Sequence, residues 1–282
     1  MKRQLTQTVY GNSIRSNIPL TLDQIEAVAP SILATEKHSS RSDRYTYVPT
    51  IEILKGLQRE GFEPFMVCQA KPKLEDKYGF AKHMIRMRHA SSIAGEEANE
   101  IIILNSHDGT TGAQLLAGVF RFVCQNGCVA GDVIEDIRVR HTGNIVNEVI
   151  EGSYRILEGF ERVNESMADM KAIDLSRPEQ LAFARSALAL KYENVEEAPI
   201  IAEQLLTPKR LADTGASLWV TMQKAQEHLT RGGLRGRTAN NKKTTTRAVN
   251  GITENVKLNK AIWSLSEAMR NLKSGVELGM VA

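Results

Sequence analysis

The period of the hydrophobic pattern changes once along this chain, and that change limits the folds open to it. From about residue 63 to 141 apolar residues come in short runs or alternate with polar ones. Pro64 to Gln69, Glu100 to Asn105 and Val119 to Cys124 are compact apolar runs, while His83 to Arg88 and Ile137 to Arg140 alternate apolar and basic residues with period two. Such segments suit strands. Asn126-Gly127 stands between apolar runs, the strongest short hairpin signal, because both residues tolerate a positive φ. Sequential strands with tight turns make an antiparallel meander.

Beyond residue 143 the period turns helical. Ile145, Val149, Tyr154, Leu157, Phe160, Val163, Met167 and Met170 recur mostly at three- and four-residue steps. A further helix is expected from Ser176, with Pro178 in its first turn and Glu179 where the helix dipole favours an acid. Leu218 to Leu229 and Leu258 to Leu272 are two more. Ahead of the strands, Thr21 caps a short helix, and Thr50 to Glu60 forms another that stops at Gly61. The expectation is an α+β fold: an antiparallel meander with flanking helices over 1–142, and a mainly helical half over 143–282 packed on the sheet as one domain.

The 282 residues are 42% hydrophobic and 24% charged, enough for a sizeable core. Cys68, Cys124 and Cys128 are an odd set, which favours a reducing, cytoplasmic setting over a disulfide framework. No stretch approaches the ~20 apolar residues of a membrane span, so no membrane partner is expected.

Charge is distributed unevenly. No acidic residue occurs between Glu227 and Glu254, and within that interval stand Arg231, Arg235, Arg237, Lys242, Lys243 and Arg247. These six account for twice the net charge of +3; without them 30 basic residues face 33 acidic ones. Gly, Thr and Asn dominate the rest of the tract from 231 to 247. Hydroxyls, side-chain amides and exposed backbone N–H groups donate to phosphate oxygens, and glycine lets a backbone come close. A mobile basic loop between two helices therefore suits a phosphate clamp, and equally a solvated loop. A second basic stretch runs from Lys71 to His89, where strand parity puts Lys82, Arg86 and Arg88 on one face. In a third, Arg41 and Arg44 adjoin Tyr45 and Tyr47, whose rings suit either base stacking or half-buried packing.

Catalytic signals are weaker. Asn105 to Gly112 holds His107 and Asp108 among hydroxyls, and turn chemistry accounts for every residue in it. Cys124 and Cys128 have no second pair at zinc spacing, and Gly232-Gly233-Leu234-Arg235-Gly236-Arg237 lacks the ending of a phosphate-binding loop. No catalytic residue, metal or cofactor is expected.

Four stretches resemble one family. They are Arg41 to Thr50, Leu104 to Gly109, Phe120 to Gly127 and Val149 to Gly152. Together they look like the YafZ/YfjQ-like proteins of the phage/plasmid-like family designated domain of unknown function 932. The similarity runs from about residue 12 to 272. The resemblance implies carriage by mobile genetic elements and transfers no catalytic residue. Such elements commonly encode single-strand annealing proteins, which combine a sheet, flanking helices and a basic groove and assemble into oligomers. The expected function is thus nucleic-acid binding, with single-stranded DNA favoured, in annealing, recombination or DNA protection. The phosphate contacts are assigned to Arg231, Arg235, Arg237, Lys242, Lys243 and Arg247, with Arg41, Arg44, Arg86 and Arg88 as secondary contributors. A homo-oligomer is a possible assembly. Two alternatives stay open: a protein-directed inhibitor of a host defence system, and a hydrolase or nuclease built around His107 and Asp108.

Overall fold

The structure is a computed structural model that describes residues 7–10, 12–42, 45, 47–92, 96–123, 126–130, 137–138 and 145–275. It is α+β, with an antiparallel sheet in the N-terminal half and a mainly helical C-terminal half. The chain divides into two compact units. Unit 1 is 1–122 with 134–160, and unit 2 is 123–133 with 161–282.

Unit 1 is built on six antiparallel strands in sequence order. These are β1 (Gln7–Tyr10), β2 (Ser13–Ser16), β3 (Phe62–Gln69), β4 (His83–His89), β5 (Glu97–Asn105) and β6 (Gln114–Arg121). A short strand, β8 (Ile137–Arg138), pairs with Gln114 and Leu115 of β6. Register follows cross-strand pairing, so Val67, Ile85 and Ile103 share one face while Met66, Arg86 and Ile102 share the other. Both faces of β4 and β5 are buried. That is why the run Ile101-Ile102-Ile103-Leu104 is continuous rather than alternating. Helices α1 (Leu22–Val28) and α2 (Thr50–Arg59) pack Ile25, Ile53, Leu54 and Leu57 into the core, and α1 lies along β2 and β3. The start of α1 obeys its sequence. Thr21 Oγ1 accepts from the Gln24 N–H (3.3 Å), and the Gln24 side chain accepts from the Thr21 N–H (2.9 Å). Past the end of α2, Gly61 takes φ +84°, a conformation that favours glycine.

Unit 2 gathers α4 (Arg177–Ala189), α5 (Leu218–Arg231) and α6 (Ile252–Lys273) around the edge-to-face pair Trp219 and Trp263, whose centroids are 6.1 Å apart. The long helix α3 (Ile145–Ala172) contributes its first sixteen residues to unit 1 and the remainder to unit 2. Along α5 every residue but Val220 and Arg231 is buried, so even its polar side chains need partners inside the unit.

Two local expectations are corrected. Asn126 and Gly127 do not form a turn but open strand β7 (Asn126–Val129), and the turn begins earlier, at Phe122. β7 packs against α5 and α6, with Cys128 buried beside Gln223. Inward packing of Cys128 thus overrides the local turn preference. The acid-free tract is no irregular loop either. It forms a β-ribbon of β9 (Arg235–Arg237) and β10 (Lys243–Thr245) between α5 and α6. Cys124 lies outside the described residues. Among the described residues, no helix is long and apolar enough to cross a membrane.

Candidate nucleic-acid interface

The ribbon has one polar face and one packed face, and pairing decides which is which. Lys243 pairs with Arg237 and Thr245 with Arg235, which places Arg235, Arg237, Lys243 and Thr245 on one side, all exposed. Gly236 and Thr244 occupy the other side and are only half exposed. That side rests on the segment before the short 3₁₀ turn Ala202–Leu206. The Arg237 N–H donates to the Pro199 carbonyl (2.8 Å), and Gln204 Nε2 donates to the Arg235 carbonyl (2.9 Å). A Cβ on residue 236 would lie 1.6 Å from the Pro199 oxygen, so only glycine allows this approach.

Gly236→Ala must therefore push the ribbon off its seat. Overpacking of this kind costs about 1–3 kcal/mol. The variant is expected to melt several degrees below wild type and to lose the ribbon's fixed orientation. A wild-type melting temperature in calorimetry would contradict the packing.

The ribbon's base is also anchored. Thr246 is buried, its Oγ1 accepts from the Leu234 N–H (3.0 Å), and its N–H donates to the Leu234 carbonyl (2.9 Å). The Lys191 ammonium donates to the Leu229 carbonyl at the end of α5 (2.6 Å) and to the Arg247 carbonyl (3.0 Å). Burial lowers the Lys191 pKa. At the tip, Asn241 takes φ 57°, and Arg237 Nη1 donates to its carbonyl and side-chain oxygens. Among the described residues, Arg235, Arg237, Lys242, Lys243 and Arg247 are exposed and form no ion pair.

Arg231 differs from these five. Its Nη1 stands 3.1 Å from Glu227 Oε1, and the same oxygen lies 2.6 Å from Arg210 Nη2 and 3.7 Å from Lys209 Nζ. Arg210 also reaches Glu227 Oε2 (2.9 Å) and Asp213 (2.8 Å). Burial pushes the Glu227 pKa up, but the Arg210, Lys209 and Arg231 charges outweigh it and the carboxyl titrates below its ordinary range. Lys209 and Arg210 were not singled out in the sequence. Their one signal is the adjacent pair after Pro208, and nothing in it reveals that Glu227 gathers them to Arg231.

In unit 1 the secondary contributors fare differently. Arg86 and Arg88 are 3% and 0% exposed, so the exposed cationic face expected for β4 is not there. Strand parity does put both on one face. That face is covered, and both guanidiniums meet Glu100 of β5, itself fully buried, through Nε contacts of 2.7 and 2.8 Å. The Arg88 guanidinium also lies over Phe120, 3.7 Å from the ring centroid, and over Phe65 at 4.5 Å. These are core cations, sealed from a phosphate backbone. Lys82 beside them is half buried. Arg41 is half buried, with its guanidinium on Ser40 Oγ and beside Gly109. Arg44 lies outside the described residues. Tyr45 donates to the Ser106 carbonyl (2.8 Å), and Tyr47 donates to the Ala34 carbonyl and packs on the His107 ring.

The turn after β5 is made as its residues suggest. Asp108 accepts from the N–H and hydroxyl of Thr110, and Ser106 Oγ bonds residue 111 both ways. Asn105 and His107 point into a buried polar chain. His83 Nδ1 donates to the Ala81 carbonyl (3.0 Å), which leaves Nε2 to accept from the Thr50 hydroxyl (2.8 Å), whose oxygen in turn accepts from Asn105 Nδ2 (2.8 Å). Ser31 Oγ lies 2.9 Å from His83 Nδ1, and His107 Nε2 lies 3.4 Å from Thr50 Oγ1. Both histidines are 0% exposed. Two of the stretches that carry the family resemblance, Arg41 to Thr50 and Leu104 to Gly109, therefore meet at one buried network.

The fold and its exposed ribbon define an α+β protein with a concentrated cationic surface in its helical half. The chain belongs to the family described as domain of unknown function DUF932, whose profile matches residues 37–263. Among curated proteins it is similar to UPF0380 protein YfjQ of Escherichia coli (strain K12), 45% identical over 269 residues, covering 95% of this chain and 98% of that protein. It is also similar to UPF0380 protein YafZ of the same strain, 44% identical over the same share of each chain. No solved structure matches it.

Proposed function

We propose that this protein binds single-stranded nucleic acid by its phosphate backbone through the β9–β10 ribbon, as a cytoplasmic mobile-element protein acting in annealing, recombination or protection of DNA. The observation that carries this reading is the one-sided display of Arg235, Arg237 and Lys243 on a ribbon whose other face is seated on Pro199. Lys242 and Arg247 extend the charge at tip and base. Cations carried on a seated ribbon neutralise phosphates at a lower cost in backbone ordering than cations on a loose loop. The ribbon has no aromatic residue on which a base would stack, so it grips phosphates and tolerates any sequence. Cys68 and Cys128 are buried, and an odd set of three cysteines suits a reducing compartment.

Replacing Arg235, Arg237, Lys242 and Lys243 together by Gln keeps polarity and removes four charges. Affinity for labelled single strands is expected to fall at least tenfold at low salt, and equally for unrelated sequences. The fold is expected to survive, since exposed substitutions usually cost under ~0.5 kcal/mol each. Undiminished binding by the variant would overturn the reading and leave a protein-directed inhibitor of host defence as the better one.

A further inference from the structure

We infer that the phosphate-binding surface of unit 2 continues from the ribbon onto a second cationic element at the C-terminal end of α5, where Lys209, Arg210 and Arg231 together take a further phosphate of the same strand. This inference rests on the nucleic-acid reading of the ribbon and lengthens the site.

The arrangement is radial. The carboxylates lie inside, with the Glu227 and Asp213 side chains 5% and 4% exposed. The cations lie outside, with Lys209, Arg210 and Arg231 at 35%, 28% and 44%. Three outward cations thus share two inward carboxylates through these ion pairs. A phosphate approaching from solvent meets the cations first and the carboxylates at greater range, so the local field attracts it. Lys224, buried and donating to the Gly215 carbonyl (3.3 Å), lies within electrostatic range of Asp213 as well. The buried carboxylate also orients the cations. Arg210 is held on Glu227 by two contacts of 2.6 and 2.9 Å, and Arg231 by one of 3.1 Å. Guanidiniums fixed this way lose little freedom when an oxyanion arrives.

Continuity with the ribbon is covalent as well as hydrogen-bonded. Arg231 is the last residue of α5, and the chain enters β9 four residues later. Lys191 ties the end of α5 to Arg247 at the ribbon's base. The two cationic elements are therefore held at a fixed separation, as a strand bridging both requires. The ligand chemistry is that of a phosphodiester chain long enough to reach from the ribbon to Lys209.

The test uses the full chain and oligothymidylates of graded length. Lys209→Gln with Arg231→Gln removes two charges and keeps Arg210 on Glu227. The double variant is expected to lower the magnitude of the slope of log affinity against log salt by up to roughly 0.7, the share of one phosphate, and to reach its full affinity on a shorter oligonucleotide than wild type. The charge-keeping pair Lys209→Arg with Arg231→Lys is expected to retain the wild-type slope and length, which separates charge from fold. A double variant that melts like wild type and keeps both its slope and its length dependence overturns the inference and leaves the ribbon reading intact. If wild type shows no binding at low salt, or the ribbon variant keeps the wild-type slope, both fall together.

Discussion

Replacing Glu100 by Gln is expected to cost about 3–5 kcal/mol of stability, the usual penalty for removing one side of a buried ion pair. Glu100 is fully buried and serves two buried guanidiniums at once. Burial pushes its pKa up, yet Arg86 and Arg88 outweigh that and hold the carboxyl below its ordinary range. Gln keeps the shape and removes the charge, so two buried guanidiniums lose the carboxylate they share. A domain with ~5–15 kcal/mol to lose would be left marginal. Replacing Arg86, Arg88 and Glu100 together by apolar residues of similar volume is expected to be far milder, because desolvation of the whole triad is then avoided. Denaturant midpoints of the single and triple variants check this. A Glu100→Gln protein within 1 kcal/mol of wild type would contradict the assignment of these arginines to the core.

Acid should also unfold unit 1 early. Burial lowers His83 to a pKa of about 3, helped by the neighbouring His107, and lowers His107 to about 4. Both are therefore neutral in the folded protein, whereas in the unfolded chain each takes a proton near 6.5. Their contribution to stability is complete above that value and is lost as pH falls below it. The loss runs at about 1.4 kcal/mol per pH unit for each histidine, until pH reaches the folded values. Between pH 6.5 and 5, where most carboxylates are still charged, the pair should remove about 3 kcal/mol, since each unfolded histidine is already half protonated at 6.5. Denaturant titrations at half-unit steps will show it, with the window placed above carboxylate titration. Constant stability from pH 7 to 5 would contradict the buried neutral network around Thr50.

Local signals in the sequence were reliable where local chemistry decides. Thr21 and Gln24, Gly61, and Ser176 with Glu179 mark helix ends because a cap is satisfied within three or four residues of itself. Asn105 to Gly112 reads as a turn for the same reason. What failed depends on partners far along the chain. Arg86 and Arg88 look like a solvent face until Glu100 and the rings of Phe65 and Phe120 are placed around them. The tract from 231 to 247 looks like a loop until Pro199 provides a seat for Gly236. Its cations were visible from composition alone, but their sharing of one face follows from the pairing of Arg237 with Lys243. Lys209 and Arg210 acquire meaning only through Glu227, a residue that marks one edge of the acid-free interval.

Salt dependence measures the central claim most directly, because a ribbon that neutralises phosphates must release their counterions. Log affinity of the wild-type protein for a labelled single strand should fall linearly with log salt, with a slope of roughly −0.7 for each phosphate engaged. Four engaged cations give a slope near −3 on that principle. Replacing Arg235, Arg237, Lys242 and Lys243 by Gln should bring the slope close to that of the remaining contacts alone. The same steep slope in wild type and variant, or no binding by wild type at low salt, would contradict the assignment of this ribbon to nucleic acid.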